Sequence, residues 1–354
     1  FDVGLDAGFL NGRLNLTADY YIRKTVDMYT VGPTLPDTFG ATAPKGNYAD
    51  MSTYGYEIAL SYNDSFKLAG KPFNFGIKAT LADYYSIIDR YNNASRKLSD
   101  YYEGQRLGEI WGFVCNGLFQ SQAEIDAAFG GKGYKNDIMQ TSEKYITYPG
   151  DMRFEDLNGN DAIDRGSSTV DDPGDREIIG NSQPRYHYGA TLALQWAGID
   201  FSIFFQGIGR QDWYPAANAL AFWGPYARPY ATYLPKNFHT QIWSEENPNS
   251  YFPRPRGYVA LSGTNRELTA VNDRYLQNIG YCRLKNLTVG YTLPRQWTRK
   301  ALIESLRIYF TGENLFTWSG IRSDYIDPEM AATNGNLRLY PWQRTYMFGV
   351  DVTF

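Results

Sequence analysis

The stretch GDMRFEDLNGNDAID spaces its oxygen-bearing residues as a hard-cation loop does. Asp156, Asn158, Asn160 and Asp164 fall at positions one, three, five and nine of an EF-hand-like turn, and Ala162 at position seven would offer its backbone carbonyl. Short oxygen side chains at alternate positions can converge on one ion, and calcium is the ion such donors would hold. Two departures count against it. Asp161 stands where the turn wants glycine, although Asp tolerates a left-handed conformation better than most residues, and Ser167 stands where a bidentate acid belongs. Asp171, Asp172 or Asp175 could complete the shell. The same residues equally suit an Asx-rich turn that satisfies its own backbone.

A second group is aromatic. Trp213, Tyr214, Trp223, Tyr226 and Tyr230 lie in one stretch with Arg210, Arg228, Arg254 and Arg256 interleaved. Flat apolar rings beside charged donors could hold a sugar or a peptide, or dock another protein; the plainer alternative is that the rings pack their loop upon itself. No catalytic constellation accompanies either group. His187 and His239 have no Ser or Cys partner in a turn motif, and GFVCNGLF lacks the strand-to-helix setting of a phosphate loop, so no enzyme is expected. Cys115 and Cys282 lie far apart and in no C-x-x-C; a disulfide between them is open. SQAEIDAAFGG reads as a short helix, with Ser121 and Glu124 as a capping box and Gly130 and Gly131 to end it.

These groups need a scaffold, and the composition indicates which. The 354 residues include 30 Tyr, 20 Phe and 8 Trp, yet mean hydropathy is −0.46, so apolar and polar residues are finely interleaved. That interleaving is a β signature. No run approaches the roughly 18 apolar residues of a spanning helix, which leaves a spanning β-barrel open. A net charge of −4 without a basic stripe sets nucleic acid aside as a partner.

Period-two alternation marks nine strands. FDVGLDAGFL turns at Asn11-Gly12 into RLNLTADYYIR; Tyr54 to Tyr62 turns into Phe73 to Leu81; YHYGATLALQW turns at Ala197-Gly198 into Ile199 to Phe205; CRLKNLTVGYTL leads to RIYFTGENLF; and RTYMFGVDVTF ends the sequence. Long connections over about 30–53, 86–184, 208–275 and 317–341 alternate strictly with short ones. The first holds Pro33, Pro36 and Pro44 and reads as non-strand throughout. Long connections all at one end, short turns at the other and about ten alternating residues per strand are the pattern of an outer-membrane barrel. The fold class is therefore all-β, a transmembrane antiparallel barrel, with one face of each strand on outer-membrane lipid and the other on a wet lumen. Nine strands left open would expose unpaired edges to lipid, so the expectation is a partial barrel, 1–354 being the C-terminal portion of one barrel domain.

GEIWGFVCNGLFQSQAEIDA, GDMRFEDLNGNDAID, IIGNSQPRYHYGATLALQWAGIDFSIFFQG, CRLKNLTVGYTLP and GENLFTWSG, in this order, resemble the C-terminal barrel of SusC/RagA-like TonB-dependent outer-membrane transporters. The likeness runs from about residue 54 to the end. It implies a 22-stranded barrel around an N-terminal plug, with the plug and early strands absent from this chain. It also implies a SusD-like surface lipoprotein as lid, energy from the TonB complex through the missing N-terminal part, and active import of a glycan or peptide. The cation-like loop belongs to the family's pattern, which favours calcium at Asp156, Asn158, Asn160, Ala162 and Asp164. Trp213, Tyr214, Trp223, Tyr226 and Tyr230 become candidate substrate or lid contacts, and Phe354 resembles the terminal aromatic read by the outer-membrane assembly machinery. An outer-membrane adhesin or barrel enzyme is the alternative, and a soluble carbohydrate-binding β-protein a third.

Overall fold

In the chain, β1 (Asp2–Phe9), β2 (Leu14–Val31), β3 (Lys45–Leu68) and β4 (Lys71–Arg90) form two hairpins. The computed structural model describes residues 1–32, 38, 40, 44–139, 146–227, 236–256, 268–333 and 340–354. An outer excursion then carries the short strands β5 (Glu109–Phe113), β6 (Cys115–Leu118), β7 (Met152–Phe154) and β8 (Arg176–Asn181) and the helix α1 (Gln122–Gly131). The wall resumes with β9 (Arg185–Trp196) and β10 (Ile199–Arg210). A second excursion holds β11 (Asp212–Trp213), α2 (Leu220–Trp223) and β12 (Gln277–Asn278). Then come β13 (Tyr281–Thr292), α3 (Arg295–Thr298), β14 (Ser305–Ser319) and β15 (Thr345–Thr353).

The nine long strands make one antiparallel sheet in the order β1-β2-β3-β4-β9-β10-β13-β14-β15. Every neighbour on the wall is thus the next long strand in the chain, as the alternation predicts. The register keeps one parity together from strand to strand: Leu5 sits opposite Ala18, Ala18 opposite Ile58, Ile58 opposite Leu81 and Leu81 opposite Tyr188. On the far side the same face carries a second row, Val289 opposite Phe310 and Phe310 opposite Phe348. Nothing among the described residues covers this face, since Val3, Leu5, Ile58, Ile77, Val289, Ile308, Phe348 and Val350 are all exposed. An apolar face this wide and bare belongs in lipid. A bulge at Lys285, opposite Phe204 and Phe205 on one side and between Glu313 and Phe316 on the other, is the main break in register on this half of the wall.

One expectation is corrected. The segment 45–53 is strand, not loop: β3 begins directly after Pro44 and pairs with β2 as far as Val31 and with β4 as far as Arg90. Pro44 stands just before the strand, where its missing N–H breaks no rung and its carbonyl accepts from the Gly32 N–H at 3.1 Å; Pro33 and Pro36 lie outside the described residues. At about 3.3 Å per residue a strand of this length runs to roughly 80 Å, where a lipid band of about 25 Å needs about ten residues. The upper parts of β2, β3 and β4 therefore stand clear of the membrane. There they are tied by polar contacts, including Thr53–Ser86 (2.8 Å) and Arg90 bridging Asp50 and Asp27.

The apolar core lies outside the sheet. Phe113, Leu118, Met152, Phe154, Ile163, Trp223, Tyr226, Phe252, Leu268, Tyr275, Ile279 and Ile326 form one buried cluster drawn from three separate outer excursions. A wall between lipid and water has no dry interior of its own, so only the loops can build one.

Candidate functional site: the wet wall and its outer loops

The parity opposite the lipid rows is polar. Thr17, Asp19, Glu57, Thr80, His187 and Gln206 line a concavity of about 700 Å³ on this face. Asp19 lies directly across from Glu57, and neither enters an ion pair among the described residues. Like charges placed opposite each other repel, and a wall facing water tolerates that. Further toward the turns, Arg307 clamps Asp200 at 2.7 and 2.9 Å and reaches Asp351 at 3.0 Å, linking β10, β14 and β15 across the wet face.

At the cation-like loop, Asp156 accepts from the backbone N–H of Gly159 (2.6 Å) and of Asp161 (2.9 Å), Asn158 from that of Asn160 (3.0 Å), and Asn160 from that of Ala162 (2.9 Å). Asn160 Nδ2 donates to Asp164 Oδ2 at 2.6 Å. Asp175, fully buried, sits beneath the loop and accepts from the N–H of Leu157, Asn158 and Asp164. Burial pushes its pKa up while those three donors pull it down, and burial prevails. Among the described residues no three His, Cys, Asp or Glu side chains gather as a metal cluster. The self-satisfied Asx turn accounts for each of these hydrogen bonds. An oxygen-only donor set with Asp156, Asn158, Asn160 and Asp164 on one turn fits a hard ion in chemistry, since a carboxylate or amide oxygen that accepts an N–H keeps a second lone pair.

The aromatic excursion requires a second correction. Trp223 and Tyr226 are buried, with Trp223 Nε1 donating to Ala216 O (2.9 Å) and its ring edge-on to Phe222 and Tyr275, so neither presents a face to a ligand or lid. Trp213 and Tyr214 are half-buried against the same cluster, and Tyr214 Oη donates to Leu268 O at 2.9 Å. These four rings build the loop core, the alternative left open by the sequence. Tyr230 and Arg228 lie outside the described residues. Arg256 clamps the buried Asp151, and Arg254 stacks over Tyr148.

The sequence reading missed a buried ion cluster. Arg283, 1% exposed on the wet side of β13, donates to Asp327 Oδ1 at 2.6 Å and lies 3.0 Å from Glu329 Oε2, while Lys285 at the bulge holds Glu329 at 2.9 Å. This pins the last outer excursion against the wall, where Ile326 joins the loop core. The available signal was two cations in a strand that otherwise alternates. Their partners stand 44 residues away, beyond any periodicity.

Cys115 and Cys282 are not joined in a disulfide. Helix α1 starts as read, with Ser121 accepting from Glu124 N, although Glu124 turns to Gln120 N and the backbone leaves helical angles at Ala128. Phe354 is exposed, one residue beyond β15 and in step with Phe348, Val350 and Val352.

No protein-family model matches the chain. The TonB-dependent receptor P3 of Formosa agariphila is 27% identical over 374 residues, covering 100% of this chain and 34% of that protein. The TonB-dependent receptor SusC of Bacteroides thetaiotaomicron is 24% identical over 365 residues, covering 100% of this chain and 31% of its own length. Among solved structures, the RagAB peptide importer in its open-open state matches with a TM-score of 0.69 at 20% identity, covering 100% of this chain and 34% of that one, a likeness of fold. The chain spans about a third of the length of these relatives. TonB-dependent receptors of this kind are outer-membrane proteins and not enzymes.

Proposed function

We propose that the chain is a SusC/RagA-like part of a TonB-dependent outer-membrane barrel and supplies part of the wall and outer loops of an active nutrient importer. The observation that carries this reading is the two-faced sheet, bare and apolar on one side, polar and concave on the other, with the three long folded excursions at one end. Among the described residues β1 and β15 are paired on one side only, and each such edge would leave backbone groups unsatisfied in lipid at several kcal/mol apiece. Further strands of the same barrel are the natural partners, and the length of the relatives supports them.

In the working transporter a plug fills the lumen, a SusD-like lipoprotein closes the outer mouth, and the TonB complex supplies energy from the periplasmic side. The cargo is a glycan or a peptide. With Trp223 and Tyr226 committed to the loop core, the cargo meets the wet wall and the outer surfaces of the excursions. Purification of the tagged full-length protein from outer membranes tests this. A surface lipoprotein should co-elute near one to one, with a bound glycan or peptide detectable by mass spectrometry. Recovery of neither, or a protein that stays in solution without detergent, rejects the reading.

The loop 156–164 is proposed to hold one calcium ion, supported by its oxygen-only donors at loop positions one, three, five and nine. Metal analysis of the untreated protein should find about one calcium per chain, lost on chelation together with protection of the loop amides. Substoichiometric calcium in the untreated protein ends this proposal and leaves the Asx turn as the full account.

A further inference from the structure

The lipid-facing rows can be placed against the membrane. On β4 and β9 they run from Phe73 opposite Trp196 up to Leu81 opposite Tyr188. That is about 26 Å along the strands and roughly 20 Å along the normal at a 40° tilt, close to the height of the hydrocarbon band. Asp83 and Tyr85, the next residues of the same parity, therefore sit where the outer leaflet's headgroups begin. Tyr54 stacks on Tyr85 there with ring centroids 5.3 Å apart, as an interfacial girdle would.

At this level three guanidinium groups gather. Arg185 clamps the buried Asp83 with two nitrogens, and Arg210 holds Asp212 at 3.0 Å. Arg106 lies over the Tyr85 ring, 4.8 Å from its centroid, and enters no ion pair among the described residues. These three line one cavity of about 500 Å³ with Glu109, Asp212, Ile178 and Tyr186. The two acids are already engaged: Glu109 accepts from the Arg106 N–H (2.9 Å) and from the Tyr102 hydroxyl, and Asp212 from Arg210 and the Asn181 N–H (2.9 Å). What remains is the Arg106 guanidinium, outside any ion pair among the described residues, beside two exposed apolar side chains, Ile178 and Tyr186. A charged pole and an apolar strip at the outer interface match an amphiphile with an anionic head.

We propose that this cavity seats the phosphorylated headgroup of an outer-leaflet lipid, with Arg106 meeting the phosphate, Arg210 beside it, and the upper acyl chain lying along Tyr186 and Ile178. The proposal rests on the transmembrane reading of the sheet, and its test does not use transport.

Delipidated full-length protein in a non-ionic detergent is titrated by native mass spectrometry with diphosphorylated lipid A, with the same lipid after removal of its phosphates, and with inorganic phosphate as competitor. The diphosphorylated lipid should bind at least tenfold more tightly than the phosphate-free one, and inorganic phosphate should not displace it. Arg106→Gln should weaken binding about tenfold, whereas Arg106→Lys should stay within threefold of the parent. Equal binding of the phosphate-free lipid, or an undiminished Arg106→Gln variant, overturns the proposal. Displacement by inorganic phosphate overturns the lipid assignment in favour of a free-anion site. A failure of the transmembrane reading would be seen separately, as a protein that needs no detergent.

Discussion

Replacing Arg283 by Met should release residues 321–331 from the barrel wall without unfolding it. The guanidinium is buried, and Asp327 and Glu329 are 11% and 22% exposed at the side chain, so its loss strands two partly desolvated carboxylates. Removing one partner of a fully buried pair costs about 3–5 kcal/mol. Two features reduce that figure here. Water reaches both acids, and Lys285 keeps hold of Glu329 at 2.9 Å. About 2 kcal/mol remains, roughly a 30-fold rise in the detached population of the segment. Hydrogen exchange followed by mass spectrometry on the full-length protein in detergent reads this directly. Amides of 321–331 should exchange some 30-fold faster while those of β13 and β14 keep their protection. In the double variant Arg283→Met with Asp327→Leu, much of the loss should be recovered, because the one carboxylate left, Glu329, keeps its pairing with Lys285. Exchange within threefold of the parent in the single variant, or strictly additive effects in the double, would refute the account of Arg283 as a latch.

Burial holds the Glu109 carboxyl above its ordinary value of 4.5 despite the hydrogen bond from Tyr102. The folded state thus favours the protonated acid, and this contribution to stability is full below about pH 4.5 and is lost as pH rises through the folded-state value. Glu109→Gln should flatten that part of the stability profile of the 102–113 segment between pH 4 and 8, and an unchanged slope by hydrogen exchange argues against it. At Gly349, opposite Tyr309, an added Cβ would lie 2.2 Å from the Tyr309 ring. Gly349→Val should displace that ring and the Arg307 stacked on it, costing about 1–3 kcal/mol, and an unaltered heat-modification midpoint would exclude this. Phe354→Ala should lower the yield of heat-modifiable protein in outer membranes several-fold, and equal yields would remove Phe354 from an assembly role.

The sequence by itself determined the wall. Period-two alternation is a local property of each strand, so the parities of Leu5, Ile58, Leu81 and Val289 were legible before any pairing was known, and short turns such as Asn11-Gly12 and Ala197-Gly198 made each neighbour the next strand along. The hard-cation spacing at 156–164 was legible for the same reason, because every oxygen involved lies on one turn. What the tertiary structure decided was everything set by contacts between distant segments. Trp223 and Tyr226 read as a ligand surface as well as a core until Phe252 and Tyr275 closed over them. Segment 45–53 became strand because β2 and β4 offered it partners above the membrane. Arg283 acquired its role from Asp327, and Arg185 from Asp83, across separations of 44 and 102 residues. Alternation fixes which face a side chain takes, but the charge or ring that meets it there depends on how the excursions fold back over the wall.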